Sequence, residues 1–162
     1  MNHIPKIWTL DGDQIKKPVQ YLGCGLDNIW LASGYHADTV DGEAYIVVRD
    51  LDGLHRAIGR SLVKRKKLLS GKEIRFLRQQ MDLTQSELAR LIGCDAQQIA
   101  RYEKGQNRMP GPADRVLRML YREHLDDDCS TRAILEALDE LDGRMDERQV
   151  FTETEDGWKS AA

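Results

Sequence analysis

Three neighbouring side chains in the middle of this 162-residue chain are suited to reading base edges in double-stranded DNA. Gln97 and Gln98 carry amides that can pair bidentately with adenine, and Arg101 carries a guanidinium that fits guanine O6 and N7. Gln97 and Arg101 stand one helical turn apart, so they can address neighbouring bases. Ala96 is small enough to meet a thymine methyl. Four further residues suit phosphates. Gln85 sits at a helix start, where free backbone N–H groups also favour an anion. Lys104, Asn107 and Arg108 lie just past the base-reading segment.

Catalytic and cofactor chemistry has no comparable signal. Gly23-Cys24-Gly25-Leu26-Asp27-Asn28 lacks the third glycine and the following helix of a nucleotide-binding loop, and reads as a tight turn between strands. Cys24 has no histidine or asparagine signal beside it. The three cysteines (Cys24, Cys94, Cys129) form no C-x-x-C pair, and His3, His36, His55 and His124 are isolated. A structural zinc needs about four ligands at short paired spacings. No metal, cofactor or disulfide framework is expected, and reduced thiols suit a cytoplasmic protein.

The base-reading residues need elements that present them. Thr84-Gln85-Ser86-Glu87 is a capping box, in which the two side chains satisfy each other's free backbone N–H. It opens a helix with Leu88, Leu91 and Ile92 that stops at Gly93, a residue tolerant of positive φ. Asp95 caps the next helix, Ala96 to Lys104. Two short helices crossing steeply require a small side chain at their contact, which Ala89 supplies. Ile99 pins the second helix inward, with Leu88, Ile92, Cys94 and Tyr102 filling the remaining inward positions. The result is helix-turn-helix geometry, with the second helix presented to a major groove. A helix capped by Ser70 precedes this pair, and one started by Pro110 and Pro112 follows it.

The net charge of −3 hides a strong asymmetry. Residues 1–55 carry 4 basic and 8 acidic residues; residues 56–122 carry 16 and 6; residues 123–162 carry 4 and 13. A basic middle over the helix-turn-helix suits an anionic partner. Lys64-Arg65-Lys66-Lys67 either complements a helix dipole as a solvated end or reaches flanking phosphates. No run of about 18 apolar residues is present, so no membrane span is expected. The first ten residues lack a signal-peptide pattern.

Residues 1–50 read as β-rich, with short strands at Ile7–Leu10, Val19–Leu22, Asn28–Leu31 and Ala44–Arg49 forming a small antiparallel sheet. Leu51, Leu54, Ile58 and Leu62 then share one face of a basic connecting helix over 51–67, capped by Asp50 or Asp52 and weakened by Gly53 and Gly59. Helices fill 68–125. An acidic helical tail occupies 126–162, with Ile134, Leu135, Leu138 and Leu141 on one helix. Its end, Phe151–Thr154 and Trp158, forms either a hairpin or a disordered stretch. The expected class is α+β, and the apolar faces of 112–125 and 131–141 serve either a dimer contact or packing within the chain.

Ala89, Gly93 and Ile99, with Thr84-Gln85-x-x-Leu88-Ala89 before them and Tyr102-Glu103-x-Gly105 and Pro110 after, resemble the helix-turn-helix of Xre/Cro-type regulators. The resemblance covers about 70–122 and implies an all-α, lambda-repressor-like DNA-binding domain. A narrower one spans 21–125. Tyr21-x-x-Cys24-Gly25-Leu26-Asp27-Asn28-Ile29-Trp30-Leu31, the basic helix and the helix-turn-helix together are similar to the MqsA/YgiT-type antitoxin regulators. Their Asn-x-x-x-Arg-Tyr-Glu-Lys-Gly segment is matched by Gln97, Arg101, Tyr102, Glu103, Lys104 and Gly105. The zinc-binding C-x-x-C pairs of those regulators are missing here. This resemblance implies operator binding as a homodimer, repression of the protein's own promoter and a cognate toxin as partner. The alternative is a stand-alone Xre-family transcription factor whose N-terminal domain senses a ligand or only dimerises.

Overall fold

A computed structural model describes residues 6–8, 14–16, 18–66, 68–125 and 148–161. The helix expected over 131–141 lies outside them. Five helices are described: α1 (Leu51–Arg65), α2 (Gly71–Gln80), α3 (Gln85–Ile92), α4 (Ala96–Glu103) and α5 (Gly111–His124). Eight strands accompany them: β1 (Lys6–Trp8), β2 (Gln14–Lys16), β3 (Val19–Gln20), β4 (Ile29–Leu31), β5 (Tyr35–Val40), β6 (Glu43–Val48), β7 (Gln149–Thr154) and β8 (Gly157–Ala161).

The caps read from the sequence are the ones that start the helices. Asp50 accepts from Gly53 N at 3.1 Å to open α1. Ser70 and Thr84 each form a full capping box, with Glu73 and Glu87 respectively. Asp95 Oδ1 accepts from Gln98 N at 2.7 Å and opens α4. Each such cap satisfies a backbone donor that has no partner within the helix, worth about 1 kcal/mol. Gly93 ends α3 at φ +86, the left-handed conformation its position requires.

The strands depart from a single antiparallel sheet. β1 and β2 pair with each other, as do β5 and β6. β3 and β4 join β7 and β8 in a four-stranded sheet of order β3-β4-β7-β8, and β4 runs parallel to β7. The chain's end is therefore a hairpin that completes a sheet begun near residue 19, rather than the close of a helical tail. Strands β2 and β5 were not read from the sequence. β5 carries His36, Asp38 and Thr39, and all its positions after Tyr35 are exposed, so no apolar alternation marks it.

Helix α1 is more than a connector. Leu54, Ile58, Leu62 and Val63 are fully buried, in one core with Ile29, Leu31 and Phe151 of the sheet and Ile74, Leu77, Leu88, Ile99, Leu117 and Tyr121 of the other helices. Leu51, assigned to the same face, is 43% exposed because it occupies the first helical position, ahead of the packed turns. Polar contacts tie α1 to the hairpin: Ser61 Oγ donates to Gln149 Oε1 at 2.7 Å, and Arg65 Nη1 to Ser160 Oγ at 2.9 Å. On its other side the Tyr121 ring lies so close to Gly59 that an added Cβ would fall 2.0 Å from the tyrosine oxygen. The glycine costs helix propensity but permits this approach. The apolar stripe of α5, Leu117 and Tyr121, is thus covered within the chain.

Candidate nucleic-acid interface

Helix α3 turns into α4 at Gly93, whose N–H donates to Ala89 O at 2.8 Å; Cys94 N donates to the same carbonyl at 2.9 Å. Leu88, Ala89, Ile99 and Tyr102 are buried, and Ile92 and Cys94 are partly buried. Leu91 is the departure, at 49% exposure. With Leu88, Ala89 and Ile92 facing inward, Leu91 projects off the edge of that stripe.

With Ile99 and Tyr102 fixed inward, the opposite side of α4 faces solvent. Gln97, Arg101 and Lys104 are exposed at positions i, i+4 and i+7, and so lie along one side of the helix. Asn107 and Arg108 follow in the exposed turn, and Ala96 is half-buried at the first helical position. Gln98 is also half-buried, and its Nε2 donates to the Tyr102 hydroxyl at 3.2 Å. That hydrogen bond holds the amide along the helix, less free to reach outward than Gln97.

Gln85 has a partner that sequence reading did not supply. Its Nε2 donates to Glu103 Oε2 at 2.9 Å, so its amide is tied to the end of α4. Glu103 in turn receives Arg78 Nε at 2.5 Å and Nη2 at 3.1 Å, while Arg78 Nη1 donates to Leu83 O at 2.7 Å. Arg78 and Glu103 are almost wholly buried. A fork-on-carboxylate pair is the strong, directional form of ion pair. This network staples α2, the α2–α3 turn, the start of α3 and the end of α4 into one unit. It fixes the tilt of α4 by contacts far from its exposed face.

The basic block is only partly a surface property. Lys66 is buried, its Nζ donating to Glu73 Oε1 at 2.6 Å, so this member of the Lys64–Lys67 run serves an internal pair. Arg118 is fully buried, bonded to Asp114 at 2.6 Å and donating to Leu62 O and Val63 O at 3.2 and 2.9 Å. Those carbonyls belong to the last turn of α1, where a cation is favoured. Arg122 is buried as well. Arg101, Lys104 and Arg108 stay exposed on α4 and in the turn that follows it.

Two cysteines are described, Cys24 between β3 and β4 and Cys94 in the α3–α4 turn. Burial pushes the Cys24 thiol up, and Cys94 is also raised by burial, with Asp95 adding to it. Neither is poised as a thiolate nucleophile. No helix among the described residues is long and apolar enough to cross a membrane.

Comparison with known proteins agrees with this geometry. Residues 74–114, about a quarter of the chain, match a family model described as helix-turn-helix. The match runs from within α2 into the start of α5 and contains the whole α3–α4 pair. No curated protein and no solved structure matches the chain. Residues 74–114 are accordingly a helix-turn-helix domain of the Xre type, the DNA-binding module of transcriptional regulators.

Proposed function

We propose that this protein is a dimeric, operator-binding repressor that inserts α4 into the major groove. Arg101 and Gln97 read base edges, with Gln98 and Ala96 beside them. Lys104, Asn107 and Arg108 hold phosphates, and Gln85 sets the entry of α3. The observation that carries this reading is the exposure of Gln97, Arg101 and Lys104 along one side of a helix whose other side is buried at Ile99 and Tyr102. A dimer reading two half-sites would place its recognition helices about 34 Å apart.

We further propose that the operator lies in the protein's own promoter and that the chain is the antitoxin of a type II toxin–antitoxin pair. Support comes from the similarity of 21–31 and 97–105 to the MqsA/YgiT-type regulators. A second reading, a stand-alone Xre-family factor whose N-terminal region dimerises, is favoured by the exposed β5–β6 hairpin.

Selection of bound DNA from a random pool tests the first proposal. Enrichment of a two-half-site sequence is expected, and recovery of DNA without any shared sequence would contradict it. Co-expression with the adjacent reading frame tests the second. Rescue of growth is expected of an antitoxin, and no rescue assigns the protein to the stand-alone reading.

A further inference from the structure

Strands β5 and β6 form a hairpin with six paired rungs, from Tyr35↔Val48 to Val40↔Glu43. Asp41 and Gly42 join them, both at positive φ, the two-residue turn whose twist suits a hairpin. Among the described residues neither strand has a second neighbour. An isolated two-stranded hairpin is marginal in water. Natural edges are blunted with lysine, proline or bulges, and β6 has none of these: it reads Glu43-Ala44-Tyr45-Ile46-Val47-Val48 in unbroken register. One face of the hairpin exposes Val40, Tyr45 and Val47 at 55%, 46% and 40%.

We infer that the free edge of β6 pairs antiparallel with β6 of a second copy across a two-fold axis, centred on Ile46. This names the dimer surface that the proposed function requires, and it rests on the dimeric part of that reading alone. Three observations select it. First, the apolar face of α5, the candidate that lies among the described residues, is buried against α1. Second, the ladder alternates. Arg49 N donates to Gly34 O, so the odd-numbered residues of β6 bond toward β5 and Ala44, Ile46 and Val48 turn their backbone groups outward. Third, the strand complements itself in this register. Residues whose numbers add to 92 stand opposite: Ile46 faces Ile46 of the second copy, Ala44 faces Val48, Tyr45 faces Val47 and Glu43 faces Arg49. Aromatic–β-branched and opposite-charge pairs are the favourable cross-strand kinds. The Arg49 side chain is free enough to take part, being 66% exposed with Glu153 only at 3.8 Å. A single strand pairing covers less than the roughly 800 Å² per partner of a stable interface. The free dimer is therefore weak and gains from two adjacent half-sites, which raise the effective concentration of one arm for the other.

Site-specific disulfide capture in the full chain, with Cys24, Cys94 and Cys129 replaced by serine, tests the register without DNA. Failure here is thus distinguishable from failure of DNA reading. In this pairing Ile46 and its copy form a hydrogen-bonded pair, ~5.5 Å apart between Cα atoms, and Tyr45 and Val47 a non-hydrogen-bonded pair, ~4.5 Å apart, both within disulfide reach. Ile46→Cys should form a covalent dimer on mild oxidation. Ala44→Cys should link at least about tenfold more slowly, because its own copy lies roughly four residues, ~14 Å, along the strand. Tyr45→Cys mixed with Val47→Cys should link faster than either alone, which keeps the test valid if Ile46→Cys loosens the arm. Glu43→Arg should slow capture at Ile46→Cys, and adding Arg49→Glu should restore it. Equal linking at 44 and 46 would overturn the proposal. So would absence of linking in both Ile46→Cys and the mixed pair while far-UV circular dichroism stays native; the edge would then belong to a different partner protein.

Discussion

Between Ser70 and His124 the fold is fixed by neighbours in sequence: Arg78 meets Glu103 25 positions away, Gln85 meets it from 18, and three caps act within a single turn. The four-stranded sheet is built the other way. Glu153 N donates to Ser33 Oγ across 120 positions, Trp158 Nε1 to Asp50 O across 108, and Ser61 Oγ to Gln149 Oε1 across 88. Local contacts form early and cheaply, whereas long loops must be closed before distant strands contribute. The helical unit can therefore organise before the chain's end arrives, and the sheet cannot. α1 belongs to both, because its buried face packs with the hairpin as well as with α5.

The largest tests ask whether the two regions fail separately or together. Phe151→Ala removes a fully buried ring from the sheet and should cost about 3–5 kcal/mol by denaturant titration. If α1 couples the regions, helical signal and tryptophan fluorescence will be lost in one transition; two separated transitions would show that the coupling is weak. Arg118→Met should cost a similar ~3–5 kcal/mol, because it leaves Asp114 buried without its cation. Thr84→Ala is smaller, about 1 kcal/mol, since it removes one cap at the start of α3. Its effect should stay within the helical unit.

The smallest effect concerns the seam. His55 of α1 lies 3.0 Å by Nε2 from the Tyr21 hydroxyl and 3.3 Å by Nδ1 from Gln80 Nε2, with Phe76 edge-on to its ring. Burial lowers its pKa below the ordinary 6.5, opposed by Asp52, and burial pushes Tyr21 up to about 12, with Cys24 adding to it. A depressed histidine favours the folded state when neutral. Its contribution is full above pH 6.5 and is lost as pH falls from there through the folded value. The melting temperature should therefore fall more between pH 8 and pH 5 in the wild type than in His55→Gln. Equal slopes would remove His55 from the seam.

The same contrast explains what the sequence revealed. Thr84, Gly93, Asp95, Ile99 and Tyr102 announce their roles because caps, a left-handed stop and 3.6-residue spacing are written within about 20 residues. The exposed face of α4 follows from them by elimination. The Gln85–Glu103–Arg78 network was hidden, since three polar residues on three helices carry no periodic mark. The partnership of β4 with β7 was hidden for a different reason: strands of three and six residues hold too little alternation to identify a mate 120 positions away. Buried Lys66 and Arg118 show why a charge count over a segment overstates its surface field.

In the proposed complex α4 reads DNA through Arg101. The most direct measurement compares wild type and Arg101→Ala on the selected operator and on a set with each base replaced in turn. Arg101→Ala should lose about 1–3 kcal/mol on the operator and become indifferent at one base position. Lys104→Ala should instead weaken all sequences alike and flatten the salt dependence by about one unit of slope. Unchanged operator affinity and unchanged base preference in Arg101→Ala would show that this side of α4 does not read the groove.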